Sequence, residues 1–173
     1  MRLALAAIAL TLAAAPLAVP AFAAPGPKVA AASFAQLKTP LPLPYNETAN
    51  AQAQVATARA RAKAQHKLLL IDLGGNWCLD CRLLAGTMEL PGLREFLAKK
   101  YEIVTVDVGR FDKNLDVAAK YGLKDHFGGG VPSVLIVDPK TDTLQNAGRT
   151  AALADARTLS PQALSDWLAS WVK

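Results

Sequence analysis

The sequence predicts an α/β fold in which a central mixed sheet is flanked by helices, with an extra helix at the N-terminal end of the domain. Short apolar or alternating runs, typical of strands, alternate along the chain with alanine-rich or amphipathic runs, typical of helices. The sequence also shows neither an internal repeat nor a linker between domains. We therefore expect a single folded domain over residues 47–173.

The first predicted elements are the extra helix, a buried strand and a helix in two pieces. Residues 49–65 are rich in alanine, glutamine and arginine, which favour helix formation. The continuous apolar run of residues 68–73 is typical of a strand that is buried on both faces. Apolar residues at helical spacing then predict a helix over residues 78–89, and Pro91 is expected to separate it from a second helical piece over residues 93–100.

The remaining elements continue the alternation of strands and helices. Residues 101–108 alternate in polarity and predict a strand, and residues 114–121 predict a short helix. Residues 133–137 form an apolar run, so we expect a strand there that pairs with a second strand over residues 143–148. Ser160, followed by a proline, has the features of a helix start, and the leucines and tryptophans after it lie on one stripe of the last helix.

Residues 1–23 have the features of a cleaved signal peptide. A positive start precedes an apolar run over residues 3–12, and a small-x-small cleavage site ends at Ala23. Two prolines inside the apolar stretch argue against a helix that spans a membrane. We predict cleavage after Ala23 and a periplasmic or secreted protein. The alternative is a protein that an uncleaved N-terminal segment anchors to the membrane.

The segment that follows and the overall charge restrict the possible partners. Prolines recur over residues 24–46, which we predict to be an extended lead-in to the domain. The formal net charge is +5, and the charged residues are scattered without an accompanying aromatic-basic motif. We therefore expect no nucleic-acid partner.

The chain has two cysteines, and two residues separate them. A domain stapled by disulfides would carry several widely spaced cysteines, because the stabilisation by a disulfide grows with the loop that it closes. Disulfide exchange instead needs an attacking thiolate and a second thiol that resolves the mixed disulfide. At a strand-to-helix junction the first cysteine lies at the helix N-terminus, which favours its thiolate. We predict that Cys78 is the nucleophile and that Cys81 is the resolving cysteine.

Two motifs resemble the thioredoxin superfamily. The first is the run from Trp77 to Cys81 (Trp-Cys-Leu-Asp-Cys) after a buried strand, and the second is Val131-Pro132-Ser133, which is similar to the cis-proline loop of that family. The resemblance covers residues 66–173. The additional helices resemble the thioredoxin-like group that includes exported reductases and the C-terminal domain of the membrane-bound periplasmic disulfide reductase. The resemblance implies a thioredoxin-like fold and thiol–disulfide oxidoreductase activity on protein thiols and disulfides.

The resemblance also implies roles for residues around the cysteines. It places Asp72 beneath the pair as a buried proton acceptor for Cys81. Pro132 in the cis form would leave the backbone of Val131 free to bind a substrate strand, and Trp77 would cover the thiolate and guide substrates. Plainer interpretations are a carboxylate at a strand end that faces water, a trans proline and a tryptophan that packs in the core.

Two differences from thioredoxins affect the predicted site. A lysine on the next strand often pairs with the buried acid in that family, but the comparable residues 102–105 contain no lysine. Gly74 and Gly75 replace bulkier residues, so we expect a more open site.

The direction of electron flow is predicted from the charges beside the cysteines. A negative Asp80 opposes a nearby thiolate and Arg82 supports one. Because strong oxidants stabilise their reduced thiolate form, Asp80 favours a reductant of disulfides in exported proteins. In an oxidising compartment such a reductant needs a membrane electron-transfer partner that reduces it again. We expect a monomer and neither a metal nor an organic cofactor.

Three alternatives stay open at this point. The enzyme could be a disulfide-forming oxidase or an isomerase instead of a reductase. The domain could also be a non-catalytic binding module that has kept the fold. A zinc or copper site at the cysteine pair is disfavoured, because a structural zinc site needs about four ligands and only His66 and His126 are left as natural partners.

Overall fold

The computed structural model describes residues 25–124 and 126–172, which form a four-stranded mixed sheet covered by helices on both faces. The strands are β1 (Leu68–Gly74), β2 (Tyr101–Asp107), β3 (Ser133–Asp138) and β4 (Thr143–Leu144). The helices are α1 (Ala51–Ala64), α2 (Leu79–Met88), α3 (Pro91–Lys100), α4 (Leu115–Lys120) and α5 (Pro161–Ala169). The predicted fold class is therefore confirmed.

The sheet has the strand order β2-β1-β3-β4, with β1 in its interior. β1 pairs in parallel with β2 and antiparallel with β3, and β3 pairs antiparallel with β4. The continuous apolar run of β1 follows from this position, because helices cover both of its faces. This central strand ends at Gly74, four residues before Cys78, and so delivers the cysteine motif to one edge of the sheet.

Side chains of alternate strand residues form two cores, one on each face of the sheet. Leu69, Ile71 and Leu73 of β1 pack on the face that α1 and α4 cover. Leu70 packs on the opposite face with leucines of α2, α3 and α5. Asp72 follows Leu70 by two residues in the strand, and side chains two residues apart point to the same face. The carboxylate therefore projects from the face that carries α2.

The structure differs from the sequence-based prediction at two element boundaries. The strand that we expected over residues 143–148 comprises only Thr143–Leu144. The buried side chain of Asn146 takes over the pairing with β3, since its amide accepts from Ile136 N at 2.9 Å and donates to Val134 O at 2.7 Å. The two helical pieces are separate, as predicted, but the second begins at Pro91 and not at residue 93, because proline fits the first turn, where the missing N–H is not needed.

The described part of the lead-in, residues 25–46, runs across the domain with one short 3₁₀ turn at Phe34–Gln36. Near its start, Gly26 N donates to the Asp166 carboxylate of α5 at 2.9 Å. At its end, Tyr45 is buried against the cysteine motif. The predicted signal peptide, residues 1–23, lies outside the described residues. No helix within residues 25–124 and 126–172 is long and apolar enough to cross a membrane.

Candidate active site

Cys78 and Cys81 form a disulfide at the N-terminus of α2, with 5.3 Å between their Cα atoms. Cys78 is the N-cap residue of the helix, and its Sγ accepts a hydrogen bond from the backbone N–H of Cys81 at 3.2 Å. The Cys81 N–H, which has no partner inside the helix, and the positive end of the helix dipole therefore point at this sulfur. In the reduced protein the same environment would favour a Cys78 thiolate over a thiol.

The two cysteines differ in their access to solvent. Cys78 retains 5% of its surface, whereas Cys81 is fully buried. The carbonyl oxygen of Val131 lies 3.5 Å from Cys78 Sγ, and the Val131–Pro132 peptide bond is cis. The structure thus brings the cysteine pair and the predicted substrate-binding residues Val131 and Pro132 together, and Cys78 is the less buried of the two cysteines.

Asp72 lies on the central strand and is 1% exposed. Its Oδ2 accepts a hydrogen bond from the Tyr45 hydroxyl at 3.0 Å, whereas its Oδ1 has no hydrogen-bond partner among the described residues. Burial raises the pKa of Asp72 from 3.8 to about 7, and the Tyr45 hydrogen bond lowers it only in part. The plainer interpretation, a carboxylate that faces water, is wrong. A buried acid with this pKa can accept or donate a proton near neutral pH.

Tyr45 is a further residue of the site in the structure, and it was not among the residues predicted from the sequence. It is 3% exposed, and its pKa lies well above 10 because of burial and the negative charge of Asp72. A Cβ added to Gly74 would overlap both the Tyr45 hydroxyl and the Cys81 sulfur, so the two groups lie against the same glycine. Tyr45 precedes Asp72 by 27 residues, and no periodic pattern in the proline-rich lead-in indicates this contact.

Trp77 lies beside the disulfide on the side of the loop that follows β2. Its indole N–H donates to Gly109 O at 2.7 Å, and the guanidinium of Arg110 lies 4.5 Å from the centre of its ring. The Trp77 side chain is 43% exposed, which is not the environment of a core residue. Its indole also fills the space over Gly75, so the expectation that the two glycines open the site is wrong.

The charges beside the disulfide are arranged differently from the sequence-based expectation. The Asp80 carboxylate accepts from Arg157, through the backbone N–H at 2.9 Å and through Nε at 3.0 Å and 3.1 Å, and it forms an ion pair with Nη2. Burial alone would raise the pKa of Asp80, but the hydrogen bonds and the charge of Arg157 lower it overall. Arg82 donates to the carbonyl oxygens of Leu41 and Pro42 instead of supporting a thiolate. The expectation that Asp80 opposes and Arg82 supports a nearby thiolate is therefore wrong. Arg157 is the partner that neutralises Asp80.

Potential metal ligands do not cluster near the disulfide. Across residues 25–124 and 126–172, no group of three or more histidine, cysteine, aspartate or glutamate side chains is placed to hold a metal ion.

Comparisons with known proteins agree with this geometry. A family model described as thioredoxin-like matches residues 50–139. Among solved structures, a disulphide isomerase from Xylella fastidiosa Temecula1 is similar with a TM-score of 0.68 and 38% sequence identity, over 75% of this chain and 96% of that chain. A comparison with curated proteins finds no significant match. The family match includes the strand β1, the disulfide and the helix α2, which carry the redox chemistry. This chain therefore belongs to the thioredoxin-like family and is a thiol–disulfide oxidoreductase.

Proposed function

We propose that the protein reduces disulfide bonds of exported proteins, with Cys78 as the nucleophile, Cys81 as the resolving thiol and Asp72 as the proton acceptor. The observation that carries this proposal is the asymmetry of the cysteine pair. Cys78 caps α2 and retains some exposure, while Cys81 lies behind it against the buried Tyr45–Asp72 pair. A nucleophile that retains some exposure, in front of a fully buried second thiol, is the arrangement that disulfide exchange requires.

The reaction proceeds in two displacements. In the first, the Cys78 thiolate attacks one sulfur of the substrate disulfide, forms a mixed disulfide and releases one substrate thiolate. In the second, Cys81 transfers its proton to Asp72 and attacks Cys78 Sγ, which releases the second substrate thiolate and leaves the Cys78–Cys81 disulfide. Two electrons pass to the substrate, and a dithiol donor must supply two electrons to restore the reduced enzyme.

Substrates would bind across the exposed side of the disulfide. Val131 lies against Cys78 Sγ, and the backbone before Pro132 is expected to pair with an extended substrate segment. The exposed faces of Trp77 and Leu79 flank the same sulfur in sequence and offer apolar contact to a partly unfolded protein. Protein thiols and disulfides are thus the proposed substrates, and the cycle uses neither a metal nor an organic cofactor.

The reducing direction is supported by Asp72 rather than by Asp80. Arg157 neutralises Asp80, but no lysine or arginine of the described residues bonds Asp72. An uncompensated buried acid beside the pair disfavours a thiolate there and so disfavours the reduced form that a strong oxidant stabilises. A protein disulfide isomerase is the second candidate, favoured by the similarity to the solved disulphide isomerase. Both activities start from the reduced Cys78 thiolate.

Export and the electron supply complete the proposal. The features of residues 1–23 support a signal peptide that is cleaved after Ala23 and a protein in the periplasm or outside the cell. We also propose that the protein is a monomer. A reductant in that oxidising compartment needs a membrane electron-transfer protein as its donor. N-terminal sequencing of the exported protein tests the cleavage, and a mature protein that still begins at Met1 would contradict it.

Turnover of insulin disulfides with dithiothreitol as the donor tests the assigned roles. We expect Cys78→Ser to abolish reduction, because the remaining thiol, Cys81, is fully buried. In a single turnover without dithiothreitol, the reduced Cys81→Ser protein should instead stop at a mixed disulfide with insulin, which non-reducing electrophoresis detects. Retained insulin reduction in Cys78→Ser would contradict the nucleophile assignment.

The reduction potential of the Cys78–Cys81 pair distinguishes a reductant of substrate disulfides from an oxidant of substrate thiols. A value of about −270 mV is expected for a reductant, and a value of about −120 mV would mean an oxidant. Recovery of active enzyme from a substrate with scrambled disulfides, without a net electron supply, would favour the isomerase.

A further inference from the structure

The segment Leu41–Tyr45, which we call the strap, is attached to the cysteine motif from both sides. Asn76, two residues before Cys78, bonds the Tyr45 backbone twice: its Oδ1 accepts from Tyr45 N at 3.1 Å, and its Nδ2 donates to Tyr45 O at 2.8 Å. Arg82, directly after Cys81, donates to the Leu41 and Pro42 carbonyl oxygens. The strap is thus fixed by the residues on either side of the redox pair.

The strap also crosses the neighbouring strand opposite Asp72. Thr105 of β2 is the register partner of Asp72, and its hydroxyl donates to Pro44 O at 2.8 Å. A threonine therefore occupies the strand position beside the buried acid, and the sequence of β2 contains no lysine. The strap brings a different group to the carboxylate, the neutral hydroxyl of Tyr45.

We propose that Tyr45 is a positioning residue for the redox reaction: its hydroxyl holds Asp72 by Oδ2 and leaves Oδ1 free as the atom that exchanges a proton with Cys81. This inference rests on the proposed role of Asp72. Two independent observations support it, namely the hydrogen bond at 3.0 Å and the buried Oδ1, which lacks a partner within the described residues. The Tyr45 hydroxyl and Cys81 Sγ also lie against the same glycine, Gly74.

A groove lies on the strap side of Asp72. Asp72 lines a groove of about 330 Å³ between the strap and the C-terminal half of α2, and neither cysteine lines this groove. Pro42, Leu43 and Pro44 form its strap wall, with Met88 and Glu89 on the helix side. Because Asp72 lines this groove, a proton taken from Cys81 would leave through it.

Other titratable groups lie on the elements that surround this acid. Cys81 on α2 has its Sγ against Gly74, Asp107 is buried at the end of β2 with Lys113 bound to it, and Glu89 lies at the groove. The Tyr45 hydrogen bond opposes the effect of burial on Asp72 and so keeps more of it ionised near neutral pH. Loss of one hydrogen bond to a carboxylate should change its ionisation equilibrium by about 3- to 10-fold.

Single-turnover reaction of the reduced full-length protein with dithio-bis-nitrobenzoate tests the proposal. Attack by Cys78 releases the first thionitrobenzoate, and attack by Cys81 on the mixed disulfide releases the second. We expect Tyr45→Phe to leave the first release unchanged and to slow the second by about 3- to 10-fold near about pH 7. The second release should recover at about pH 9, where Asp72 is ionised with or without the hydroxyl.

A matched control exists in a second tyrosine–aspartate pair. The Tyr121 hydroxyl, at the C-terminal end of α4, donates to Asp142 Oδ1 at 2.9 Å, and Tyr121→Phe should change neither release. A Tyr45→Phe protein whose second release follows the wild-type pH profile would overturn the inference and leave the proposed function intact. In an Asp72→Asn background the Tyr45→Phe change should have no further effect on the second release.

Two further outcomes would contradict the positioning role of Tyr45, and they distinguish it from a general loss of structure in the variant. Equal slowing of both releases by Tyr45→Phe, at all pH values and in the Asp72→Asn background, would mean a loss of structure and would overturn the positioning role. If Asp72→Asn alone leaves the second release unchanged, the proposed proton acceptor itself fails, and the inference fails with it.

Discussion

Two buried carboxylates lie close to the same disulfide, and their surroundings differ completely. Asp80, inside the cysteine motif, is bound by the backbone N–H and the guanidinium of Arg157. Asp72, on the central strand, has only the neutral Tyr45 hydroxyl, and its second oxygen has no partner in the part of the chain that the structure describes. The pKa of Asp80 is accordingly lowered, whereas that of Asp72 is raised to about 7.

The difference separates a structural role from a chemical one. A carboxylate that is permanently ionised and fully bonded, like Asp80, fixes the local structure, because its ion pair persists across the neutral range. A buried carboxylate without a cation, like Asp72, lowers the stability of the fold when it ionises but can exchange protons near pH 7. Stability is reduced at Asp72, where the proposed reaction needs a base.

The largest effect is expected from Asp72→Asn on the free energy of unfolding. Between about pH 4 and pH 7 the native protein retains a proton on Asp72 that the unfolded chain has released, so its stability falls as the pH rises. The shift from 3.8 to about 7 corresponds to a loss on the order of 4 kcal/mol at about pH 8. Urea unfolding of the oxidised proteins should find Asp72→Asn more stable by this order at about pH 8 and little changed at about pH 4.

Asp80→Asn is the matched control for that experiment. Because the native pKa of Asp80 is lowered, its ion pair stabilises the fold above the unfolded pKa of about 4, and this contribution is lost as the pH falls. The substitution should therefore lower stability at about pH 8, opposite in sign to Asp72→Asn. Equal signs for the two variants would contradict the distinction between the two acids.

A smaller effect is expected from Arg157→Gln. The variant leaves a buried Asp80 without its cation, so the free energy of unfolding should fall at neutral pH, and the difference from the wild type should shrink in acid as Asp80 becomes protonated. Arg61→Gln, which removes an exposed pair with Glu102, should change stability by less than about 1 kcal/mol. A pH-independent loss in Arg157→Gln would indicate lost packing rather than a lost ion pair.

The elements nearest to the cysteines could be predicted from the sequence, whereas their partners could not. The apolar run of β1 and the spacing of Cys78 and Cys81 are local patterns, and the structure has the strand and the helix at these positions. Arg157 meets Asp80 across 77 residues, and Tyr45 meets Asp72 across 27. Such contacts depend on where the chain returns after folding, and neither a proline-rich segment nor a 3₁₀ turn has a periodicity that reveals it.

The same reason explains why the sequence-based charge balance is wrong. Asp80 and Arg82 are close in sequence, but Asp80 points towards the 3₁₀ turn Ala156–Thr158 and Arg82 points towards the strap. Sequence proximity on a helix does not place two side chains on one face when they are two residues apart. The absence of a lysine from β2 is evident in the sequence, and only the structure identifies the hydroxyl that the strap supplies instead.

The pH dependence of the second thionitrobenzoate release in Asp72→Asn tests the central claim most directly, because this step reports the deprotonation of Cys81. For the wild type we expect the rate of the second release to rise with pH through an inflection at about pH 7. For Asp72→Asn we expect a rate about 100-fold lower at about pH 7, as for loss of a general base, with the inflection moved towards the pKa of a buried thiol. An unchanged rate and inflection in Asp72→Asn would contradict the assignment of Asp72 as the proton acceptor.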